Sequence, residues 1–205
     1  MRTAVYGGTF NPPHLGHEHV VAQVIEQLRP DRFLIIPNAV PPHKRMEEGS
    51  PTVRQRMEMC AIAFAGYDVE ISDLEARRRG NSYTYRTLEQ LHRLYPEDTF
   101  FLIIGSDSLL TFRMWKRYER ILDLCIPVVL CRDPADEPSV FAEAARLTEK
   151  TGREIRVLPF DPVVLSSTEI RETGRLEGTV SPGVLTYIRE HRLYGTAETG
   201  TMEGE

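Results

Sequence analysis

The sequence predicts an α/β fold in which a doubly wound, mainly parallel sheet carries helices on both faces. Strand-like and helix-like segments alternate along the chain, with helices of about 10 to 15 residues between strands. Three short runs are nearly all apolar, as in strands that are buried on both faces: 33–36 (FLII), 99–104 (TFFLII) and 126–131 (IPVVLC). Right-handed crossovers between such strands make the sheet parallel, and ligands of parallel sheets bind at the carboxyl ends of the strands.

The first strand–helix–strand unit starts at the amino terminus. The apolar stretch 4–6 predicts a strand that ends at Gly7-Gly8, and the amphipathic pattern at 15–28 predicts a helix. The second strand, 33–36, is closed by a proline, which cannot donate to a strand ladder.

Serines are expected to cap the next two helices. Ser50 followed by proline is typical of an N-cap and a first helical position, and it predicts a helix over 51–65. A strand is predicted at 68–72. Ser82 is expected to cap a helix at 83–94.

The second half of the chain continues the alternation of strands and helices. Further strands are predicted at 99–104, 126–131 and 155–158. Further helices are predicted at 106–112, 116–124 and 139–150. A short helix is predicted after a turn at Ser166, and another from Ser181-Pro182 to about residue 191. No internal repeat or long linker divides the chain, so one domain is expected over 1–195, followed by a disordered acidic tail at 196–205.

Composition narrows the class of protein. The chain has 205 residues, of which 41% are apolar and 27% are charged, as in ordinary globular proteins. A net charge of −5 argues against a protein that grips nucleic acid through its phosphates. The chain contains no apolar run of the roughly 20 residues that span a bilayer, and its start does not resemble a signal peptide, so the cytoplasm is the expected compartment. Three cysteines in apolar stretches are expected to be reduced core residues: Cys60, Cys125 and Cys131.

The segment 7–17 (GGTFNPPHLGH) predicts a phosphate site between the first strand and the first helix. Gly7 and Gly8 lie where a side chain would keep a phosphate from the backbone N–H groups. His14 and His17 are three residues apart at the start of a helix, so both imidazoles can face one anion. Gly16 between them would let a ligand approach the backbone. The alternative is a tight turn with two surface histidines, whereas His19 is expected to be a packing or surface residue.

This segment resembles the histidine motif of the cytidylyltransferase-like nucleotidyltransferases, which reads His or Thr, any residue, Gly, His. A second motif of that superfamily, Ser-x-Thr-x-x-Arg, is matched by 166–171 (SSTEIR). Hydroxyls and free N–H groups at a helix start suit an anion, and Arg171 lies one turn on. The resemblance implies a Rossmann-like fold.

Further segments are similar to those of the bacterial nicotinate-nucleotide adenylyltransferases. They are 41–44 (PPHK), 82–84 (SYT), 105–107 (GSD) with Trp115, and the ending 184–194 (VLTYIREHRLY). The pantetheine-phosphate adenylyltransferases share the first motif but lack the PPHK and SYT elements, and are a poorer match. Two departures from the family pattern are Asn11, where Asp is frequent, and Tyr85-Arg86, where an apolar residue and Asp are common.

The resemblance implies roles for the matching residues. His14, His17, Lys44 and Arg171 would be catalytic. ATP would be bound by Gly7, Gly8, Thr9, Phe10, His14, His17, Gly105, Asp107, Arg132, Ser166, Ser167, Thr168 and Arg171. Nicotinate mononucleotide would be bound by Thr84, Trp115 and Lys44; the indole of Trp115 can stack on a pyridine ring, and N–H groups near Thr84 can bind a carboxylate.

The reaction implied is transfer of the adenylyl group of ATP to nicotinate mononucleotide, with release of pyrophosphate. An ionised phosphate is already a nucleophile, which agrees with the absence of a triad or a pair of catalytic carboxylates from the sequence pattern. Mg²⁺ would be held mainly by the ATP phosphates, no protein metal ligands are expected, and a homo-oligomer is an open option. Two alternatives remain: an adenylyltransferase that acts on nicotinamide mononucleotide or another phosphorylated small molecule, and a non-catalytic nucleotide-sensing module.

Overall fold

The apolar runs predicted as strands pair side by side in one parallel sheet. The structure is a computed structural model, and it describes residues 1–39, 49–78, 80–131, 134–161 and 163–196. Its strands are β1 (Arg2–Gly8), β2 (Arg32–Pro37), β3 (Glu70–Ile71), β4 (Thr99–Gly105), β5 (Ile126–Leu130) and β6 (Arg156–Leu158). They lie in the order β3-β2-β1-β4-β5-β6, and every pairing is parallel. The predicted doubly wound parallel sheet is confirmed.

Helices cover both faces of the sheet, because successive strand residues point to opposite sides. The described helices are α1 (Leu15–Leu28), α2 (Val53–Ala63), α3 (Thr84–Leu94), α4 (Ser106–Leu110), α5 (Tyr118–Leu124), α6 (Glu137–Thr151), α7 (Ser167–Thr173) and α8 (Pro182–Glu190). Ala4 and Tyr6 of β1 join a core with α1, α2 and α8, whereas Val5 joins a second core with α3, α4, α5 and α6. Both cores are closed by apolar packing that removes a large area from water.

Two predicted helix caps are wrong by one or two residues. The N-cap of α2 is Thr52 and not Ser50, because Gln55 lies three residues after Thr52 and completes a capping box. Thr52 Oγ1 accepts from the Gln55 N–H at 3.2 Å, and Gln55 Oε1 accepts from the Thr52 N–H at 2.9 Å. α3 begins at Thr84 with Tyr83 at its N-cap, one residue later than the cap predicted at Ser82. Ser181 is the N-cap of α8, as predicted.

All three cysteines are buried, as expected for core residues. Burial raises the pKa of the Cys60 and Cys125 thiols, so these side chains behave as small apolar groups. In the part of the chain that the structure describes, no helix has the length and apolar character needed to cross a membrane. The predicted tail lies outside the described residues from position 197 onward.

Candidate active site

The sheet order places a crevice at the carboxyl ends of β1 and β4. From these neighbouring strands the order runs outward in opposite directions, to β3 on one side and to β6 on the other. Ligands of open parallel sheets bind at this switch point. A cavity of about 560 Å³ opens there, a volume typical of small-molecule sites. Residues of both halves line it, among them Gly7, Gly8, Thr9, Asn38, Glu75, Thr84, Asp107, Trp115 and Lys116.

The end of β1 and the loop that follows it, residues 7–11 and here called the glycine loop, line the cavity on one side and place an aromatic ring in the core on the other. Gly7, Gly8 and Thr9 line the cavity, as their predicted role requires. Phe10 is only 1% exposed, and its φ of 48° turns the ring inward. The ring packs against Tyr6 and Phe64, with centroid separations of 5.4 and 6.0 Å. The Phe10 ring therefore anchors the loop to the core, and any contact that Phe10 makes with ATP would involve its backbone.

Gly8 is required by this packing as well as by access to the backbone. A Cβ atom built on Gly8 would lie 3.0 Å from two carbons of the Phe10 ring. At Gly7 the nearest atom to such a Cβ is 4.0 Å away. The open space at Gly7 fits the predicted approach of a phosphate, whereas Gly8 serves the inward turn of Phe10.

The two motif histidines lie together at the amino terminus of α1. Their ring centroids are 3.7 Å apart, and His14 is 3% exposed. The backbone N–H of His14 donates to Nδ1 of His17 at 3.1 Å. Since Nδ1 accepts a hydrogen bond, a neutral His17 ring carries its hydrogen on Nε2, which is then the ring's donor. Among the described residues, neither histidine forms part of the cavity wall that Gly7, Gly8 and Thr9 line.

Gly16 allows the close approach of the His14 ring. A Cβ atom at Gly16 would lie 3.0 Å from Nδ1 of His14 and 3.1 Å from the carbonyl oxygen of Val163. This packing is a second reason for the glycine, beside the predicted access of a ligand. His19 behaves as a surface residue, as predicted, with Nε2 2.7 Å from the carbonyl oxygen of Asp161.

The motif near the carboxyl end docks onto the loop before α1. Ser167 Oγ donates to the carbonyl oxygen of Pro12 at 2.9 Å, and Arg171 Nη1 donates to that of Asn11 at 2.8 Å. Asn11 is 4% exposed, and its Oδ1 accepts from the hydroxyl of Tyr194 at 2.7 Å. These contacts join segments 155 to 183 residues apart in sequence. The two predicted motifs therefore form one structural unit.

The predicted adenosine residues follow β4. Gly105 is the N-cap of α4, and Asp107 lies in the first turn of that helix, exposed and on the cavity wall. Between them Ser106 is buried, and its Oγ donates to Oδ2 of Asp136 at 3.1 Å. Asp107 is thus left on the cavity side, where ribose hydroxyls could donate to its carboxylate.

The predicted nicotinate residues Thr84 and Trp115 line the same cavity. Thr84 is the first residue of α3, and Trp115 packs on Phe112 with ring centroids 5.2 Å apart. Lys116, which the sequence reasoning did not single out, also lines the cavity, and its Nζ lies 4.6 Å from the centroid of the Tyr83 ring. The lysine is therefore a cation on the cavity wall beside Thr84 and Trp115, where it can attract a carboxylate.

A buried carboxylate in the cavity wall was also missed by the sequence reasoning. Glu75 is 7% exposed, and its Oε1 accepts from the hydroxyl of Thr87 at 2.5 Å. Arg78 donates to Thr87 Oγ1 at 3.2 Å and to Gln90 Oε1 at 2.8 Å. The loop before α3, which looks merely charged and exposed in sequence, is thereby fixed to that helix. The helical period places Thr87 and Gln90 on one face of α3. It does not show that Glu75 and Arg78 are the partners of these two residues.

Arg56 is the most deeply buried charged residue in the described part of the chain, at 1% exposure. It lies on the buried face of α2 with Met59, Cys60 and Ala63, at the i, i+3, i+4 and i+7 positions of a helix stripe. That spacing is visible in the sequence and could have identified an arginine pointing into the core.

Four of the predicted roles find no test in the described residues. Lys44 and Arg132 lie outside the described residues. Ser166 and Thr168 are exposed at the start of α7, and Ser166 makes no side-chain cap there. Their roles stay predictions.

Comparison with known proteins places the chain among nucleotidyltransferases. The family model described as cytidylyltransferase-like matches residues 5–173. A protein of Geotalea daltonii named "Probable nicotinate-nucleotide adenylyltransferase" is 38% identical over 213 residues, covering 95% of this chain and 98% of the relative. A protein of Fusobacterium nucleatum with the same name is 39% identical, covering 83% of this chain and 86% of the relative.

Solved structures share the fold. Nicotinic acid mononucleotide adenylyltransferase of Plasmodium falciparum complexed with NaAD superposes with a TM-score of 0.79 at 18% identity, covering 96% of this chain and 98% of that one. The same protein complexed with APC gives a TM-score of 0.77 at 17% identity, with the same coverage of both chains. At these identities the likeness establishes the arrangement of strands and helices.

Proposed function

The chain belongs to the cytidylyltransferase-like family and, within it, to the nicotinate-nucleotide adenylyltransferases, and we propose that it transfers the adenylyl group of ATP to nicotinate mononucleotide. The product is nicotinate adenine dinucleotide, and the reaction is a step of NAD biosynthesis. One observation carries this function: a single cavity is lined both by the glycine loop at the end of β1 and by Thr84 and Trp115, so one site offers backbone for a phosphate and a ring for a pyridine.

The reaction needs little covalent help from the protein. An oxygen of the mononucleotide 5′-phosphate bonds to the α-phosphorus of ATP. The bond from that phosphorus to the bridging oxygen of the β-phosphate breaks, and the electron pair leaves with pyrophosphate. Catalysis then comes from holding the two anions together and from donors that stabilise the charge on the phosphates.

His14 and His17 are the proposed donors to the ATP phosphates. The hydrogen bond from the His14 N–H to Nδ1 of His17 supports this role, because it leaves Nε2 as the donor of the neutral ring. The amino terminus of α1 adds a positive partial charge at the same place. Arg171 is proposed to act with them, and Lys44 and Arg132 are proposed phosphate contacts from loops that follow β2 and β5.

Recognition of the acid is proposed to involve Thr84, Trp115 and Lys116. Trp115 offers an aromatic face, and Thr84 opens α3, where backbone N–H groups are without helical partners. Lys116 lines the same cavity. Its positive charge favours the carboxylate of nicotinate over the neutral amide of nicotinamide.

Mg²⁺ is a proposed cofactor that ATP brings on its own phosphates. Oxygen atoms of phosphates are ligands that Mg²⁺ prefers, so the nucleotide itself would hold the ion. When bound, the ion would neutralise phosphate charge. The protein residues would position the chains of phosphates around it.

A homo-oligomer and a cytoplasmic location also stay predictions.

The direct test compares two acceptors with ATP and Mg²⁺. Pyrophosphate release is measured with nicotinate mononucleotide and with nicotinamide mononucleotide, and the dinucleotide is identified by mass. We expect kcat/KM to be at least about tenfold higher for the acid, a difference of about 1.4 kcal/mol, since the charge of Lys116 and the N–H groups that open α3 both favour a carboxylate. A strong preference for the amide would refute the substrate, and no turnover with either would refute the enzyme assignment.

A further inference from the structure

Arg56 connects two loops that frame the candidate active site. Its Nη1 donates to the carbonyl oxygen of Thr9 at 2.5 Å, in the loop after β1. Its Nη2 donates to the carbonyl oxygens of Asn38 at 2.7 Å and Ala39 at 3.3 Å, in the loop after β2. Thr9 and Asn38 both line the cavity. One planar guanidinium therefore holds two cavity-forming segments that come from different strands.

The position of Arg56 would suit an apolar residue if only stability mattered. The neighbours on its face of α2 include Met59, Cys60 and Phe64, all in the core. Burial lowers the pKa of the Arg56 guanidinium, which reflects the cost of taking its charge from water. Replacing a buried ion pair as a whole by apolar groups is often neutral or stabilising, but replacing Arg56 would leave the carbonyl oxygens of Thr9 and Asn38 without this donor. What an arginine supplies here, and a methionine cannot, is the pair of links to backbone oxygens.

The two loops already touch at one backbone hydrogen bond. The N–H of Asn38 donates to the carbonyl oxygen of Gly8 at 2.9 Å, beyond the last pair of the parallel ladder. The links from Arg56 lie on the far side of this bond, at Thr9 and Ala39. Together they fix how far the glycine loop lies from the start of the segment that contains Lys44.

Arg56 also lies near the hydrogen bonds that hold Asn11 in the loop before α1. Its charge interacts with Tyr194, whose hydroxyl donates to Asn11. Arg171 donates to the carbonyl oxygen of the same asparagine. Thr9 and Asn11, on either side of Phe10, are thus both held by side chains from remote parts of the chain.

We propose that Arg56 is a positioning residue for adenylyl transfer, which fixes the loop after β1 against the loop after β2 so that the two substrates meet in reactive geometry. The proposal rests on the proposed function for its kinetic consequence. A displacement of about 1 Å in such a site can cost about 10²-fold in rate. The guanidinium acts through the loops and makes no bond to a reacting atom.

The experiment uses Arg56→Lys, Arg56→Met and the matched control Arg54→Met. Lysine keeps the charge but has a single nitrogen, which cannot reach both loops as the guanidinium does. Methionine keeps apolar length without charge or donors. Arg54 lies two residues away on α2, where its exposed side chain pairs with Glu58 at 2.9 Å. Each variant is first examined by circular dichroism and urea unfolding, so that rates are compared per folded molecule.

In both Arg56 variants, kcat should fall by a larger factor than KM rises. We expect kcat to fall about 10²-fold in Arg56→Met and at least about tenfold in Arg56→Lys, with Arg54→Met within about twofold of the unmodified protein. A folded Arg56→Met with unchanged kcat would overturn the proposal. Full activity in Arg56→Lys would also overturn it, because charge alone would then suffice.

Amide hydrogen exchange supplies a readout that does not depend on the reaction. In Arg56→Lys, the N–H of Asn38 should exchange at least about tenfold faster, while amides in the core of β4 keep their protection. Unchanged exchange at Asn38 would overturn the proposed link between the loops. If the unmodified protein transferred no adenylyl group but the exchange changed as expected, the proposed function would fail, whereas the link that Arg56 makes between the two loops would stand.

Discussion

At the scale of single residues, the phosphate end of the site depends on polar side chains whose partners are backbone atoms. Arg56, Arg171 and Ser167 all donate to carbonyl oxygens of the loops near β1. Such bonds fix backbone position without adding an anion near the phosphates. The donors that we propose for the ATP phosphates are the two histidines and the backbone N–H groups of the loop, with Arg171 acting beside them.

The first residue-scale prediction concerns His17. His17→Ala should lower kcat about 10²- to 10³-fold, the usual cost of losing one donor to a developing charge. The fold should persist, because His17 is only half-buried. Steady-state kinetics and circular dichroism measure the two effects.

His19→Ala is the matched control for this change. His19 lies on the same helix, and its ring meets the carbonyl oxygen of Asp161 away from the cavity wall. Its kcat should stay within about twofold of the unmodified protein. Unchanged turnover in His17→Ala would rule out the proposed role of that imidazole.

The second residue-scale prediction concerns acid recognition. Lys116→Met keeps the length of the side chain and removes its charge. The KM for nicotinate mononucleotide should rise about two- to fivefold, since an exposed charge pair contributes up to about 1 kcal/mol. The kcat/KM for nicotinamide mononucleotide should not change. Equal effects on both substrates would show that Lys116 does not distinguish the carboxylate.

At the scale of elements, the short helices near the carboxyl end hold the site from outside the sheet. α7 bonds to the loop before α1, and α8 packs against α2. Gly183 permits the second contact, since a Cβ there would lie 2.7 Å from Cγ2 of Ile62. The hydroxyl of Tyr187 in α8 donates to the carboxylate of Glu58 in α2. α2 carries Arg56, so α8 supports the helix that fixes the two loops.

The link between α8 and α2 gives a pH dependence of stability. Burial and the Glu58 hydrogen bond raise the pKa of Tyr187 to about 12. The unfolded phenol titrates near about 10, so the unfolded state loses its proton first and stability falls as the pH rises from about 10 to about 12. Tyr187→Phe should therefore lower the free energy of unfolding by about 1 kcal/mol at pH 8, and by less at pH 11.

Urea unfolding of both proteins at the two pH values measures this difference. A stability loss in Tyr187→Phe that is the same at pH 8 and pH 11 would contradict the titration of the hydroxyl within this range.

At the scale of the whole molecule, the site belongs to both halves of the sheet. The glycine loop follows β1, Asp107 follows β4, and Thr84 opens the helix that leads into β4. A ligand that fills the cavity therefore contacts segments that are far apart in sequence. Binding to the folded state alone stabilises that state by mass action.

Ligand binding should raise the melting temperature. ATP or nicotinate adenine dinucleotide at about 100 times its dissociation constant adds about 2.7 kcal/mol. For a chain of this length that corresponds to a Tm rise of roughly 5 to 10 °C, which differential scanning fluorimetry can measure.

Trp115→Ala separates the two ends of the cavity. At fixed ligand concentrations it should reduce the shift produced by the dinucleotide and leave the shift produced by ATP. Equal loss of both shifts would contradict the placement of the pyridine ring on Trp115.

Much of the fold follows from local sequence pattern. Apolar runs identified the strands of the central sheet, because strands covered on both faces need apolar residues throughout. Helix starts were less certain, since more than one residue near each start can cap it. At α2 the choice between Ser50 and Thr52 depended on Gln55, whose side chain completes the capping box.

The sequence by itself determined the strand segments, the glycine loop, and the two histidines at the start of α1, because each depends on neighbours within a few residues. The parallel direction of the strands followed from the helix-length connections between them. The strand order, which pairs β1 with β4, was decided only by the tertiary structure. Only the tertiary structure decided that Phe10 turns into the core, that Arg171 and Tyr194 hold Asn11, and that Arg56 bridges Thr9 and Asn38. These bonds join residues 18 to 183 positions apart. The partners of the two arginines are backbone carbonyls, which every residue type carries, so the sequence holds no record of which carbonyl a distant donor reaches.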